Sequence, residues 1–218
     1  MQLLKGLYLF EGSGISSNCY LIEGEKTILV DTGTSADAPL LMEQIQDDNF
    51  NISDINIIVN THCHFDHIGG NSSVLKEGKI KLAAHGTDSP HIEEADALYT
   101  GTKNFPYYSV SPEKVDMKLK EGDALDNFRV LHTPGHTQGS MSLYNEESKI
   151  LISGDLVFSD GNIGRVDLPG GNMTEMQNSL KKISALDVEV LLPGHGSVSL
   201  TDGGRIIKEA HNMIFSYF

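Results

Sequence analysis

The sequence predicts an α+β protein in which two sheets lie face to face with helices on the outside. Three observations predict it. Short apolar runs bounded by turn residues recur along the chain. Segments with helical apolar spacing separate those runs. Strands and helices also come in two similar series, one in each half. Layers of this kind bury one face of each sheet and one stripe of each helix.

Each element follows from its own pattern. Residues 18–23 and 26–30 are apolar runs separated by Gly24-Glu25, which reads as a hairpin. Residues 35–48 carry apolar side chains at helical spacing, with Thr34 or Ser35 as the cap. Residues 55–60 form a buried Ile/Val strand, 71–76 a short helix and 80–84 another strand. Residues 86–114 break the rhythm with Pro90, Gly101, Pro106 and Pro112 among aromatics, and read as an inserted lid. In the second half, 128–132 is a strand, and 141–144 with 149–153 forms a second hairpin. Residues 174–186 form a helix capped by Thr174, 188–192 a strand and 204–215 a closing helix. The whole reads as a single domain, 1–218, with the lid at 86–114.

With 218 residues, the chain is long enough to bury a sizeable core without staples. Its 39% hydrophobic and 21% charged residues are those of a soluble globular protein. Lys and Arg total 16 against 30 Asp and Glu, giving a formal net charge of −14. That balance disfavours nucleic acid, because phosphate binding draws on basic clusters and none is visible. Cys19 and Cys63 are too few for a disulfide framework, so a reducing compartment is expected. The first ten residues lack a basic region and a cleavage site, and no stretch approaches the ~20 apolar residues of a membrane span. The expected location is cytoplasmic, without a membrane partner. The oligomeric state is left open.

The chemistry concentrates in Thr61-His62-Cys63-His64-Phe65-Asp66-His67, directly after a buried strand. In an extended segment alternate residues share a face, so His62 and His64 point together while Cys63 points away, toward the core. Asp66 and His67 follow where the chain turns and can aim at a second point nearby. The plainer reading is a solvated His-rich turn, but such a turn rarely stands with three more candidate ligands at strand ends. His136 lies in Thr133-Pro134-Gly135-His136, Asp155 in Ser153-Gly154-Asp155, and His195 in Pro193-Gly194-His195. A glycine before each lets the backbone turn sharply. His132 reads as a structural residue orienting its loop. His85 lines a cavity rim or sits on the surface, and His91 and His211 read as surface residues.

This pattern resembles the metallo-β-lactamase superfamily, with its His-x-His-x-Asp-His motif and later His, Asp and His, over residues 18–196. Asp31, in Val30-Asp31-Thr32-Gly33, matches that family's early aspartate. The resemblance implies an αββα four-layer sandwich with the site at one edge. It implies one divalent metal on His62, His64 and His136, a second on Asp66, His67 and His195, and Asp155 bridging. Imidazole and carboxylate ligands suit zinc, with iron or manganese as alternatives. Two such metals share a hydroxide that attacks a carbonyl carbon, and Asp66 is the residue expected to orient it.

The segment Gly164-Arg165-Val166-Asp167 is similar to the one in glyoxalase II-like proteins and in persulfide dioxygenases. Arg165 stands where full-length glyoxalase II has a glutathione-binding lysine, and Asp167 replaces a tyrosine. With about 20 residues after His195, the helical domain that completes that site is expected to be missing. The expected activity is thus hydrolysis of a small thioester, with weak use of glutathione esters and the thiol carrier left open. A thiolate leaving group, conjugate acid pKa ~8.5, needs little help from a general acid, and none stands out. Arg165 contacts substrate or braces its loop by pairing with Asp167. Tyr99, Phe105, Tyr107 and Tyr108 cover an acyl group or form a satellite core, with Tyr107 the candidate for contact. A lactonase, a mono-iron persulfide dioxygenase and a non-enzymatic binding protein are the other readings.

Overall fold

The computed structural model describes residues 1–216, which divide into two compact units, Met1–Leu119 and the chain from Lys120 onward. The first unit is built on a seven-stranded sheet in chain order: β1 (Gln2–Leu4), β2 (Leu7–Phe10), β3 (Cys19–Ile22), β4 (Ile28–Val30), β5 (Ile57–Asn60), β6 (Lys81–His85) and β7 (Met117–Leu119). Strands β1 to β4 meander antiparallel, and β4 to β7 run parallel. The predicted hairpin is the β3–β4 pair. Each parallel step needs a crossover. The β4–β5 crossover contains α1 (Ala38–Asp47) and a 3-10 turn at Ile52–Asp54. The β5–β6 crossover contains α2 (Phe65–Ile68) and α3 (Asn71–Leu75), and the β6–β7 crossover α4 (Ser89–Glu93). Helix α1 presents Leu41 and Ile45 to a core that includes Leu21, Leu29, Ile58, Leu82 and Ile92. Each such side chain contributes roughly 1.5–3 kcal/mol on burial.

The second unit is a five-stranded sheet of order β12-β11-β10-β9-β8. Its strands are β8 (Ala124–Leu125), β9 (Phe128–His132), β10 (Met141–Asn145), β11 (Ile150–Gly154) and β12 (Val190–Pro193). Neighbours are antiparallel except β11 and β12, which are parallel. Helices α5 (Met173–Ser184) and α6 (Gly203–Ser216) pack on this sheet through Met176, Leu180, Ile183, Ile207 and Ala210. Truncating Leu180 to alanine removes a fully buried side chain, at a cost of about 2–5 kcal/mol.

Both predicted helix caps move. Helix α1 begins at Ala38, because Pro39 can occupy only the first turn; Asp37 caps it, and Thr34 Oγ1 accepts the Asp37 amide at 3.2 Å. Helix α5 is capped by Asn172, not Thr174: the extended Asn172 accepts the Glu175 amide at 3.1 Å. Part of the 86–114 segment is built into the first unit, since Asp88, Ser89, Ile92 and Thr100 are buried. Among the described residues no helix is long and apolar enough to cross a membrane.

Candidate metal centre

Strand direction explains where the candidate ligands fall. In the first unit β4, β5 and β6 are parallel, so Asp31, His62 and His85 all stand at carboxyl ends of neighbouring strands. That is where open parallel sheets place their ligands. In the second unit β9 and β11 both oppose β10, and β12 parallels β11. His136, Asp155 and His195 therefore follow the carboxyl ends of three strands that run the same way. The amide of Gly194 donates to Gly154 O at 2.8 Å, locking the β11 and β12 ends together just before Asp155 and His195.

The first set is His62, His64, Asp66 and His67. His62, His64 and His67 are buried to 4% exposure or less. The rings of His62 and His64 meet edge to face at 4.8 Å, and those of His62 and His67 lie 4.0 Å apart. A nitrogen of His67 lies within 4.8 Å of one on His62 and of an Asp66 carboxylate oxygen. Asp31 organises this set. Its Oδ1 accepts the Thr61 amide at 2.8 Å, and its Oδ2 accepts Thr61 Oγ1 and His67 Nδ1, both at 2.8 Å. These bonds hold Asp31 at φ 59°, a left-handed conformation that Asp tolerates better than most residues. A carboxylate only accepts, so His67 carries its proton on Nδ1 and its lone pair on Nε2. Asp66 lies in the first turn of α2, held by the Ser17 amide donating to Asp66 O at 3.0 Å.

The second set is His136, Asp155 and His195. Asp155 Oδ2 lies 3.5 Å from His136 Nε2 and 3.6 Å from His195 Nε2, so one carboxylate oxygen is shared between two rings. His136 Nδ1 donates to the main-chain carbonyl of Arg165 at 2.6 Å, which leaves Nε2 toward Asp155. Two glycines make this possible. Gly135 has φ +139°, and a Cβ there would stand 2.5 Å from the Met176 backbone of α5. A Cβ on Gly164 would stand 2.0 Å from Asp155 O and 3.1 Å from His136 Nδ1. Beside His195 an open depression of about 570 Å³ is lined by Phe158, Ser159, Asp160, Gly196 and Ser197. Phe158 meets the His195 ring edge to face at 6.1 Å.

The donors suit a divalent metal: mostly buried imidazoles, two of them, His67 and His136, with Nδ1 tied to an acceptor, and carboxylates beside them. Other residues sort differently. Arg165 and Asp167 form an exposed two-point ion pair, at 2.9 and 2.8 Å. The Arg165 guanidinium holds the Asp167 carboxyl down at about 2. Cys63 is buried, its thiol donating to Tyr99 O at 3.6 Å, and burial beside Asp88 pushes that thiol well up. His132 bridges its loop by Nε2 to Gln138 O at 2.9 Å, the structural role expected of it. His85 is buried, contrary to a surface role, and His91 is half-buried, stacked on Tyr99 at 3.9 Å. Phe105 and Tyr108 pack on Phe65, whereas Tyr107 is 96% exposed.

Sequence reasoning missed Thr61, the Arg165 carbonyl and Asp88, which accepts the Cys63 amide. Only the place of Asp88 just past β6, beside the strand that leads into the histidines, could have signalled it.

The sequence profile of the metallo-beta-lactamase superfamily matches residues 12–195. A probable metallo-hydrolase of Methanocaldococcus jannaschii is 34% identical, covering 86% of this chain and 91% of its own. The hydroxyacylglutathione hydrolase GloC of Haemophilus influenzae is 26% identical, covering 85% of this chain and 88% of its own. The acyl-coenzyme A thioesterase MBLAC2 of Bos taurus is 28% identical, with 94% and 81% covered. Among solved structures, TTHA1623 in a di-iron-bound form matches at TM-score 0.77 and 31% identity, over 88% of this chain and 94% of that one. The BLEG-1 B3 metallo-beta-lactamase matches at TM-score 0.80 and 28% identity, over 92% and 96%. With the fold expected from sequence and a profile spanning most of its length, the chain belongs to the metallo-beta-lactamase superfamily.

Proposed function

We propose that the protein is a two-metal hydrolase acting on a small thioester. His62, His64 and His136 would hold one metal and Asp66, His67 and His195 the second, with Asp155 offering a carboxylate to both. The observation that carries the reading is the shared Asp155 oxygen, 3.5 Å from His136 Nε2 and 3.6 Å from His195 Nε2, on rings otherwise assigned to different metals. When bound, the metals supply Lewis acidity toward the carbonyl and lower the pKa of a water. The protein's own groups do the rest. Asp31 and the Arg165 carbonyl fix the tautomers of His67 and His136, and Asp66 orients the attacking water.

A thioester fits because its thiolate leaves without a strong general acid. The names of GloC and MBLAC2 point to the same bond. The depression beside His195 offers room for a small acyl group. Arg165, with an exposed side chain, takes the carrier side of the substrate, and Tyr107, also exposed, is the aromatic proposed for the acyl group. The metal proposed is zinc, with iron or manganese as substitutes. A small molecule is the proposed substrate, with neither nucleic acid nor membrane as partner. Two buried cysteines without a disulfide fit a reducing, cytoplasmic setting.

The test is paired. Thiol release from S-lactoyl and other acyl thioesters is followed with zinc- or manganese-loaded protein, and oxygen uptake with a glutathione persulfide is followed with iron-loaded protein. Thioester cleavage without oxygen uptake is expected. Robust oxygen consumption without cleavage would replace the hydrolase with a dioxygenase.

A further inference from the structure

We infer that Asp88 is a positioning residue that sets the His62–His64 pair for metal binding. This rests on the metal reading above. Asp88 stands at the amino end of α4, where an aspartate ordinarily accepts an amide of its own helix, yet it makes no side-chain cap. Instead its buried carboxylate crosses to the neighbouring strand end, and Oδ2 accepts the Cys63 amide at 2.9 Å.

Cys63 is the residue between the two histidines. Fixing its peptide plane fixes the backbone on either side, and so the directions in which His62 and His64 leave the chain. The two rings stand 4.8 Å apart at 90°. The same segment holds the turn at two more points: the Phe65 amide donates to Thr100 O at 2.9 Å, and the Cys63 thiol to Tyr99 O. Residues 88–100 therefore clamp the ligand turn from behind. Of these contacts only the Asp88 bond is made by a side chain of the clamp to the peptide joining the two ligands.

The test uses cobalt(II) alone as the probe, on the full chain and on D88A, D88N and D88E. Affinity is read by chelator competition and ligand geometry by visible absorption, beside a melting curve of the metal-free protein. An outer partner of a ligand changes metal affinity by about 10- to 100-fold. The expected result is such a loss with an altered spectrum in D88A, and near-normal behaviour in D88N, which keeps an acceptor oxygen. If D88A does not fold, D88E decides: its displaced carboxylate is expected to weaken cobalt binding while D88N does not. Wild-type affinity and spectrum in D88A, with only a lower melting temperature, would make Asp88 merely structural. A wild-type protein that takes up no cobalt would overturn the metal reading itself, and this inference with it.

Discussion

Asp31 Oδ2 accepts the Nδ1 proton of His67 at 2.8 Å, and that bond leaves Nε2 as the nitrogen open to a metal. The same carboxylate receives the Thr61 amide and hydroxyl, so the turn and the ring are set by one group. Removing it frees the ring to rotate and exchange tautomers. D31A is expected to lower metal affinity by about 10- to 100-fold. It also leaves the Thr61 amide buried without its acceptor, at about 1–3 kcal/mol. Chelator competition and a denaturant melt measure the two effects separately. Full affinity in D31A would remove Asp31 from the site.

Gly164 tests the second set in the same way. A Cβ there meets Asp155 O at 2.0 Å, so G164A must push the 164–165 backbone away from Asp155 and His136. Displacing ligands by an ångström costs on the order of a hundredfold in turnover. The rest of the sheet is untouched, so the melting curve of G164A should shift far less than its activity. Unchanged turnover would mean that this close approach is not needed.

Cys63 faces Tyr99 O rather than its histidine neighbours, and a serine hydroxyl can donate there too. C63S is expected to keep kcat/KM within about threefold. Abolished turnover with metal content intact would show that the sulfur takes part in the chemistry.

Arg165 has two roles on different atoms. Its carbonyl receives His136, and its guanidinium reaches Asp167 at the surface. Because R165A keeps the carbonyl, it should raise KM several-fold and change kcat less than about twofold. A depressed carboxylate contributes above its ordinary pKa and is lost as pH falls through the folded value, here about 2. The pair is therefore charged throughout the neutral range, and the KM effect should not vary with pH there. A kcat collapse in R165A would assign the side chain to the reaction centre.

The sequence was most legible where pattern and chemistry are local. β9 appears over its predicted residues, and the β10–β11 hairpin within a residue at each end, because alternating apolar runs carry enough signal. Strands β7 and β8, with three and two residues, carry no period to detect. β1 and β2, three and four residues on either side of Lys5-Gly6, are likewise too short to carry a period. The candidate run from His62 to His67 stood out because its residue types are dense and their alternation is simple. What orients those ligands was not. Asp88 and the Arg165 carbonyl act through pairings between segments distant in sequence, and a carbonyl leaves no mark in residue identity.

Metal stoichiometry tests the central claim most directly. Elemental analysis of protein purified under metal-replete conditions, alongside D155A, decides it. The account predicts two metals per chain, with D155A losing more metal than H62A or H195A, because one carboxylate oxygen faces both His136 and His195. A ceiling of one metal per chain, or a D155A protein that keeps two and turns over normally, would contradict it.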